Sequence, residues 1–150
     1  MNQKHQHGGF KKRDQKKGSK PQAINMNFLD NGYYQDEKKE ILRENLIVEH
    51  ADKLGKEFAR SLTSAQLRRF FNDVRALEAR VESSEFNKQL PIIKMLKSKV
   101  AYAKGRDKIP AGFKDFIDVC IDKIEDKKDF EGFVKLFESV VGFYYFHGGK

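Results

Sequence analysis

The stretch TSAQLRRFFNDVRALEAR, residues 63–80, decides the fold because it encodes both a helix and the direction in which that helix faces. Thr63, followed three positions later by Gln66, matches a capping box, in which each side chain bonds a backbone amide at the start of a helix. At about 100° per residue, the large apolar side chains fall on one side, with Arg68 and Arg75 opposite. The stretch therefore predicts a helix with one face in a core and guanidinium groups on its outer surface.

The charge of the chain is unevenly distributed. Residues 1–20 contribute most of the formal net charge of +8, with seven Lys or Arg and one Asp. Their composition, which continues to about residue 35, predicts a flexible basic arm over residues 1–35 and a folded domain over residues 36–150. No apolar run is long enough to span a bilayer, and the amino-terminal residues lack the apolar core of a secretory signal. We therefore expect a cytoplasmic protein that does not enter membranes.

Apolar side chains recur at helical spacing through the domain, and no stretch alternates convincingly as a β-strand does. The 39% hydrophobic content, with 13 Phe, supports a buried core. Gly55 is a possible break in the first helix, and residues 82–86 are expected to form a loop. The sequence predicts an all-α bundle of about five helices, over residues 36–60, 63–80, 91–104, 111–125 and 129–146.

The titratable residues do not indicate a catalytic site. Four carboxylates of the fourth helix line up opposite its core face, where a solvated surface is the ordinary interpretation and a docking surface or a metal site are the alternatives. His50 and His147 are isolated in the sequence, and no glycine-rich phosphate-binding loop occurs. We therefore predict that the protein is not an enzyme and has no cofactor or metal site. The four carboxylates are Asp115, Asp118, Asp122 and Glu125.

Basic side chains are densest around the third helix. Residues 88–108 hold seven Lys or Arg and one Asp, and such a cluster on the helix that follows the arginine stripe favours binding of nucleic-acid phosphates. Tyr102 lies in this segment and would either stack on a base or lie at the edge of the core with its hydroxyl paired. Basic helix faces are also common as solvated surfaces, so the alternative function is a free-standing helical adaptor that binds a protein partner.

Three segments carry a family resemblance when taken in order: LTSAQLR at residues 62–68, AYAKGRD at 101–107 and LFESVVGFYYFHGGK at 136–150. They are similar to the patterns Leu-Thr-x-x-(Gln/Lys)-Leu-Arg, Tyr-x-x-Gly-Arg-(Glu/Asp) and Phe-Glu-(Ala/Ser)-x-Val. On these motifs the chain resembles the small helical subunit of the type III-A CRISPR interference assembly, the Csm complex. Phe143 departs from the pattern, since the family often has Tyr there, and the basic arm is not expected of every member.

The resemblance implies a subunit without catalytic activity that works in antiviral defence. Copies of it are expected to stack along the guide RNA, beside the backbone and large subunits of the Csm complex, and to help hold the target RNA through contacts that do not depend on sequence. Because Arg68 and Arg106 occupy motif positions, the resemblance implies that they bind RNA. Glu138 is expected to support a basic side chain. Helical phasing adds the remaining RNA-binding candidates: Arg69, Arg75, Lys94, Lys97, Lys99 and Lys104.

Overall fold

The computed structural model describes residues 25–150, and all the regular elements in this range are helical. Met95 alone separates the third and fourth α-helices, which together correspond to the predicted third helix, so the predicted all-α bundle of about five helices is confirmed. None of the helices within residues 25–150 combines the length and the hydropathy that a bilayer span requires. The elements are a 3-10 turn Met26–Leu29, a π-helical turn Leu46–His50, and the α-helices α1 (Ala51–Ser61), α2 (Ser64–Ser83), α3 (Phe86–Lys94), α4 (Leu96–Gly105), α5 (Ala111–Asp122) and α6 (Lys127–Phe146).

The capping box predicted at the start of α2 is present. The Gln66 amide donates to the Thr63 hydroxyl oxygen at 3.2 Å, and the Thr63 amide donates to the Gln66 side-chain oxygen at 2.9 Å. The apolar face predicted for this helix is buried, including Leu67, Val74 and Val81. The start of α2 and its orientation therefore follow from local sequence.

Phenylalanine rings from four helices form the centre of the core. Phe113 of α5 lies 5.3 Å from Phe58 of α1 and 5.2 Å from Phe70 of α2, between ring centroids, with the rings edge to face. Phe116 of α5 lies 6.0 Å from Phe137 of α6. Edge-to-face contacts between buried rings add to the gain from removing apolar area from water. The rings thus hold α1, α2, α5 and α6 in one bundle.

Gly55 does not break the first helix, as the sequence had suggested it could. It lies inside α1 at a close contact with α6. A Cβ atom added at Gly55 would stand 2.6 Å from the Phe143 Cβ and 2.7 Å from the Tyr144 backbone nitrogen. The glycine is therefore explained by the close approach of two helices and not by a helix end.

The segment before the bundle differs from the sequence-based boundaries. Phe28, Leu29 and Tyr33 are buried, and the Tyr33 hydroxyl donates to the Cys120 carbonyl oxygen at 2.6 Å, so residues 25–35 pack on the domain and are not part of an arm. The helix predicted over residues 36–60 begins only near residue 44, and residues 36–42 form a turn and an isolated antiparallel bridge. The rest of the predicted arm, residues 1–24, lies outside the described residues.

Lys39 fastens this amino-terminal segment to the start of α6. Its backbone is in the left-handed region, with φ of 57°, and its ammonium group donates to Asp126 at 2.7 Å and to the buried Asp129 at 3.0 Å. Partial burial would raise the pKa of Asp126, but the hydrogen bonds from Lys39 and the Asp129 amide outweigh it and lower that pKa from 3.8. The carboxylate of Asp126 is thus held in its charged form.

The third helix also starts earlier than predicted. It begins at Phe86, so the expected loop shrinks to Ser84 and Glu85, and Pro91 lies inside α3. The prediction used Pro91 as a start signal, since proline is common in a first turn. Here α3 tolerates the loss of one backbone donor and ends three residues later at Lys94.

Candidate nucleic-acid interface

A groove with a volume of about 500 Å³ runs between α2 and α4. We call it the α2–α4 groove. One wall is the face of α2 that the capping box sets in place, and the other is the face of α4 on which residues 99, 102, 103 and 106 recur at helical spacing. Its lining comprises Ala65, Gln66, Arg69, Phe70, Asp73, Lys99, Tyr102, Ala103, Arg106, Lys108 and Ile109.

Four cations and one carboxylate give the α2–α4 groove a positive charge. Arg69, Arg106 and Lys108 are exposed, and no ion pair within the described residues involves them. The Lys99 ammonium lies 3.6 Å from the Asp73 carboxylate on the opposite wall. An exposed pair at this distance contributes little to stability, so Lys99 can exchange its partner for an anion.

The turn after α4 fixes the end of the groove. Asp107 has φ of 54°, and the Lys108 and Asp107 amides donate to the carbonyls of Ala103 and Lys104 at 2.9 Å and 3.0 Å. These two bonds are the Schellman pattern that closes a helix on a left-handed residue. The Gln66 side-chain amide also donates to the Lys108 carbonyl oxygen, which ties this turn to the start of α2.

Tyr102 projects from α4 into solvent, with 66% of its surface exposed. Its hydroxyl accepts a hydrogen bond from Arg106 Nη1 at 2.9 Å, and the Arg106 guanidinium carbon lies 5.6 Å from the ring centroid. The sequence left two positions open for Tyr102, an exposed ring or a ring at the edge of the core. In the structure the ring is exposed. The Tyr102 hydroxyl is nevertheless paired.

The arginine stripe of α2 lies apart from the groove. Arg68 Nε donates to the Tyr145 hydroxyl at 2.8 Å, and Arg75 lies 3.5 Å from Glu138, both partners being on α6. The Arg75 guanidinium carbon also stands 5.0 Å from the centroid of the Phe71 ring. The prediction that Glu138 supports a basic residue is confirmed by this contact, and the stripe borders α6.

Two of the three lysines on the edge predicted for the third helix, Lys94 and Lys97, contact α5 and the residues that follow it. The Lys94 ammonium donates to the Ile121 and Ile124 carbonyl oxygens at 2.7 Å and 3.1 Å, where it satisfies acceptors at the end of α5. Lys97 pairs with Asp122 of α5 at 2.5 Å, and Lys104 is 3.9 Å from Asp107. These three lysines do not line the α2–α4 groove.

The eight predicted RNA-binding residues therefore do not share one surface. We expected cations of the second and third helices to converge in one groove, and of the eight only Arg69, Lys99 and Arg106 line the α2–α4 groove. Lys108 also lines the groove. It belongs to the basic segment of residues 88–108, but the sequence did not predict which surface it lies on. Lys108 follows the end of α4, where helical phasing no longer applies.

Several titratable groups outside the groove are paired with charged neighbours. Asp118 pairs with Lys114 at 2.5 Å, so together with the pair at Asp122 half of the acidic stripe is neutralised within the chain. His147, which appeared isolated in the sequence, has its Nε2 atom 2.5 Å from Asp52 of α1. Burial and nearby Arg43 and Lys53 lower the pKa of His50. Within residues 25–150, no group of three or more His, Cys, Asp or Glu could hold a metal ion.

Residues 25–150 thus define the chain as a small all-α protein with a cationic groove between two of its helices. Comparison with family models gives a match over residues 41–150, a range that includes both walls of the groove, to the family described as Csm2 Type III-A. The chain belongs to this family and is a small subunit of the type III-A CRISPR (Csm) complex. The resemblance drawn from three sequence segments is thereby confirmed. No curated protein and no solved structure matches the chain.

Proposed function

We propose that this subunit binds RNA through the α2–α4 groove and contributes structure, not catalysis, to the type III-A effector complex. The observation that carries the proposal is the convergence of four cations from two helices and a fixed turn, against the single carboxylate of Asp73. Copies of the subunit would stack along the guide RNA in the cytoplasm, beside the backbone and large subunits, and help hold the target RNA.

The chemistry of the groove suits contacts to a sugar-phosphate backbone. Arg69, Lys99 and Lys108 are long and exposed side chains, which can follow phosphates without reading the order of bases. In an RNA-guided complex the sequence is read by pairing between guide and target, so the protein needs only charge and shape.

The proposal is tested by measuring RNA affinity of the full chain as a function of salt concentration. Arg69→Ala and Lys99→Ala should each weaken binding similarly for unrelated RNA sequences and reduce the slope of log affinity against log salt by about 0.7 to 1. The matched control is Lys88→Ala, which removes an equal charge from an exposed lysine of α3 outside the groove. Equal loss in the control and groove variants would contradict the groove as the binding site.

A variant that is expected to gain RNA affinity distinguishes a loss of binding from a loss of folding. Asp73→Asn removes the only carboxylate of the groove and the partner of Lys99 at similar side-chain volume, so RNA should bind more tightly. No gain at low salt would count against phosphate binding next to Lys99.

The adaptor alternative is separated from this proposal by purification of the tagged chain from its host. Recovery of guide RNA together with the other Csm subunits is the expected result. If only a single protein partner returns and RNA is absent, the adaptor function would replace the one proposed here.

A further inference from the structure

Tyr102 is an aromatic side chain without a packing partner for most of its ring. Tyrosine in a helical protein usually buries its ring and leaves only the hydroxyl in water. Here 66% of the residue is exposed, and the ring projects among the cations of the α2–α4 groove. An apolar ring face held in water beside positive charges suits a ligand that carries both a flat apolar surface and negative charge.

Arg106 restricts the orientation of this ring before any ligand arrives. The hydrogen bond from Arg106 Nη1 to the Tyr102 hydroxyl spans one turn of α4, and Arg106 itself precedes the Schellman turn at Asp107. A side chain that is already ordered loses less conformational entropy when a ligand packs on it. The Tyr102 ring is thus prepared for stacking, although its surface is largely open.

The cations around the ring come from both sides of it. Lys99 lies one turn before Tyr102 on α4, Arg69 reaches from α2, and Lys108 follows the helix end. Proteins that bind single-stranded nucleic acid combine such a positive groove with aromatic rings on which bases stack, a combination that tolerates any sequence. A paired duplex keeps its bases stacked inside and offers no ring face to a side chain.

We propose that the α2–α4 groove binds an unpaired stretch of RNA, with one base stacked on the ring of Tyr102 and the adjoining phosphates on Arg69, Lys99 and Lys108. This proposal rests on the RNA-binding function proposed above and adds the kind of RNA and the residue that selects it. Tyr102 contributes apolar contact and not charge, so its effect on binding is separable from that of the cations.

The test compares single-stranded oligouridylate with a duplex of the same length on the full chain. Tyr102→Ala should weaken binding of the single strand roughly 5- to 150-fold, the contribution of one stacked base, and leave the salt slope unchanged. Tyr102→Phe keeps the ring and should stay within about threefold of the parent chain, since only the hydrogen bond to Arg106 is lost. The parent chain should prefer the single strand, and Tyr102→Ala should lose that preference.

A spectroscopic measurement reports stacking directly. The chain contains no Trp, so Tyr102→Trp creates a single tryptophan, whose fluorescence should fall when oligouridylate binds. If Tyr102→Ala binds the single strand as tightly as the parent while Lys99→Ala remains weakened, base stacking is overturned and backbone binding in the groove stands. If neither variant affects binding, the proposed function fails as well. Equal affinity for duplex and single strand would also overturn the preference for unpaired RNA.

Discussion

Replacing Gly55 with alanine should destabilise the protein, although alanine is the better helix former. The added Cβ would lie 2.6 Å from the Phe143 Cβ and 2.7 Å from the Tyr144 backbone nitrogen, about 1 Å closer than carbon atoms normally approach. Because backbone atoms of α6 are among the neighbours, the whole helix must shift to make room. Overpacking of this kind costs about 1–3 kcal/mol, and we expect the upper end.

The gain in helix propensity offsets part of this cost. Alanine in place of a mid-helix glycine contributes about 1 kcal/mol, so the expected net loss for Gly55→Ala is about 2 kcal/mol. For a domain of this size, that loss corresponds to a decrease in Tm of about 4–8 °C. Urea unfolding followed by circular dichroism measures the free energy of unfolding, and thermal unfolding measures Tm.

Gly142 provides the matched control. It lies inside α6, it is exposed, and a Cβ there would meet no atom within 4 Å. Gly142→Ala should therefore raise the free energy of unfolding by about 0.5–1 kcal/mol. A Gly55→Ala protein as stable as the parent, or stabilised like the control, would refute the close approach of α1 and α6.

Three further changes test other parts of the structure. Lys94→Met leaves the carbonyls at the end of α5 without their donor and should lower the free energy of unfolding by about 1–2 kcal/mol; loss of RNA affinity at unchanged stability would instead make Lys94 a binding residue. Lys39→Met should cost about 1–3 kcal/mol at pH 7. Since the pKa of Asp126 is lowered in the folded state, its contribution is present above 3.8 and is lost as pH falls through the lowered value, so urea titrations of parent and variant should converge in acid. Asp107→Val should cost about 1–2 kcal/mol because a β-branched residue is strained at φ of 54°, whereas Asp107→Asn should be nearly neutral by the same measurement.

The start of α2 and the end of α6 were predictable because both depend on local signals. The capping box at Thr63 and Gln66 fixed the start of α2, and the glycines after residue 147 fixed the end of α6, where Gly148 has φ of 85°. The segment with Phe28 and Tyr33 was missed because its apolar residues follow no helical or strand period. Packing against α5, the hydrogen bond to Cys120 and the hydrogen bonds from Arg43 to the Phe28 and Gly32 carbonyl oxygens give these residues their place.

The residues that line the α2–α4 groove were predicted in part, for a geometric reason. Both edges of the apolar face around Val100 carry lysines, and the sequence contains no information on which edge meets a neighbouring helix. The structure turns the edge with Lys97 toward α5 and the edge with Lys99 toward the α2–α4 groove. Likewise, Arg68 and Arg69 are adjacent in sequence but lie about 100° apart on α2, and only one of them reaches the groove.

The two basic edges of α4 should therefore evolve under different constraints. Substitution of Lys97 is constrained by its ion pair with Asp122. A compensating change of both residues keeps the domain intact, whatever ligand the complex binds. Exchange at Lys99 or Tyr102 leaves the buried core untouched, so the RNA ligand that we propose would be the main constraint on these positions. Among related chains, a constraint from the fold predicts that position 97 covaries with its partner on α5. A constraint from binding predicts that position 99 keeps its charge and position 102 keeps an aromatic ring.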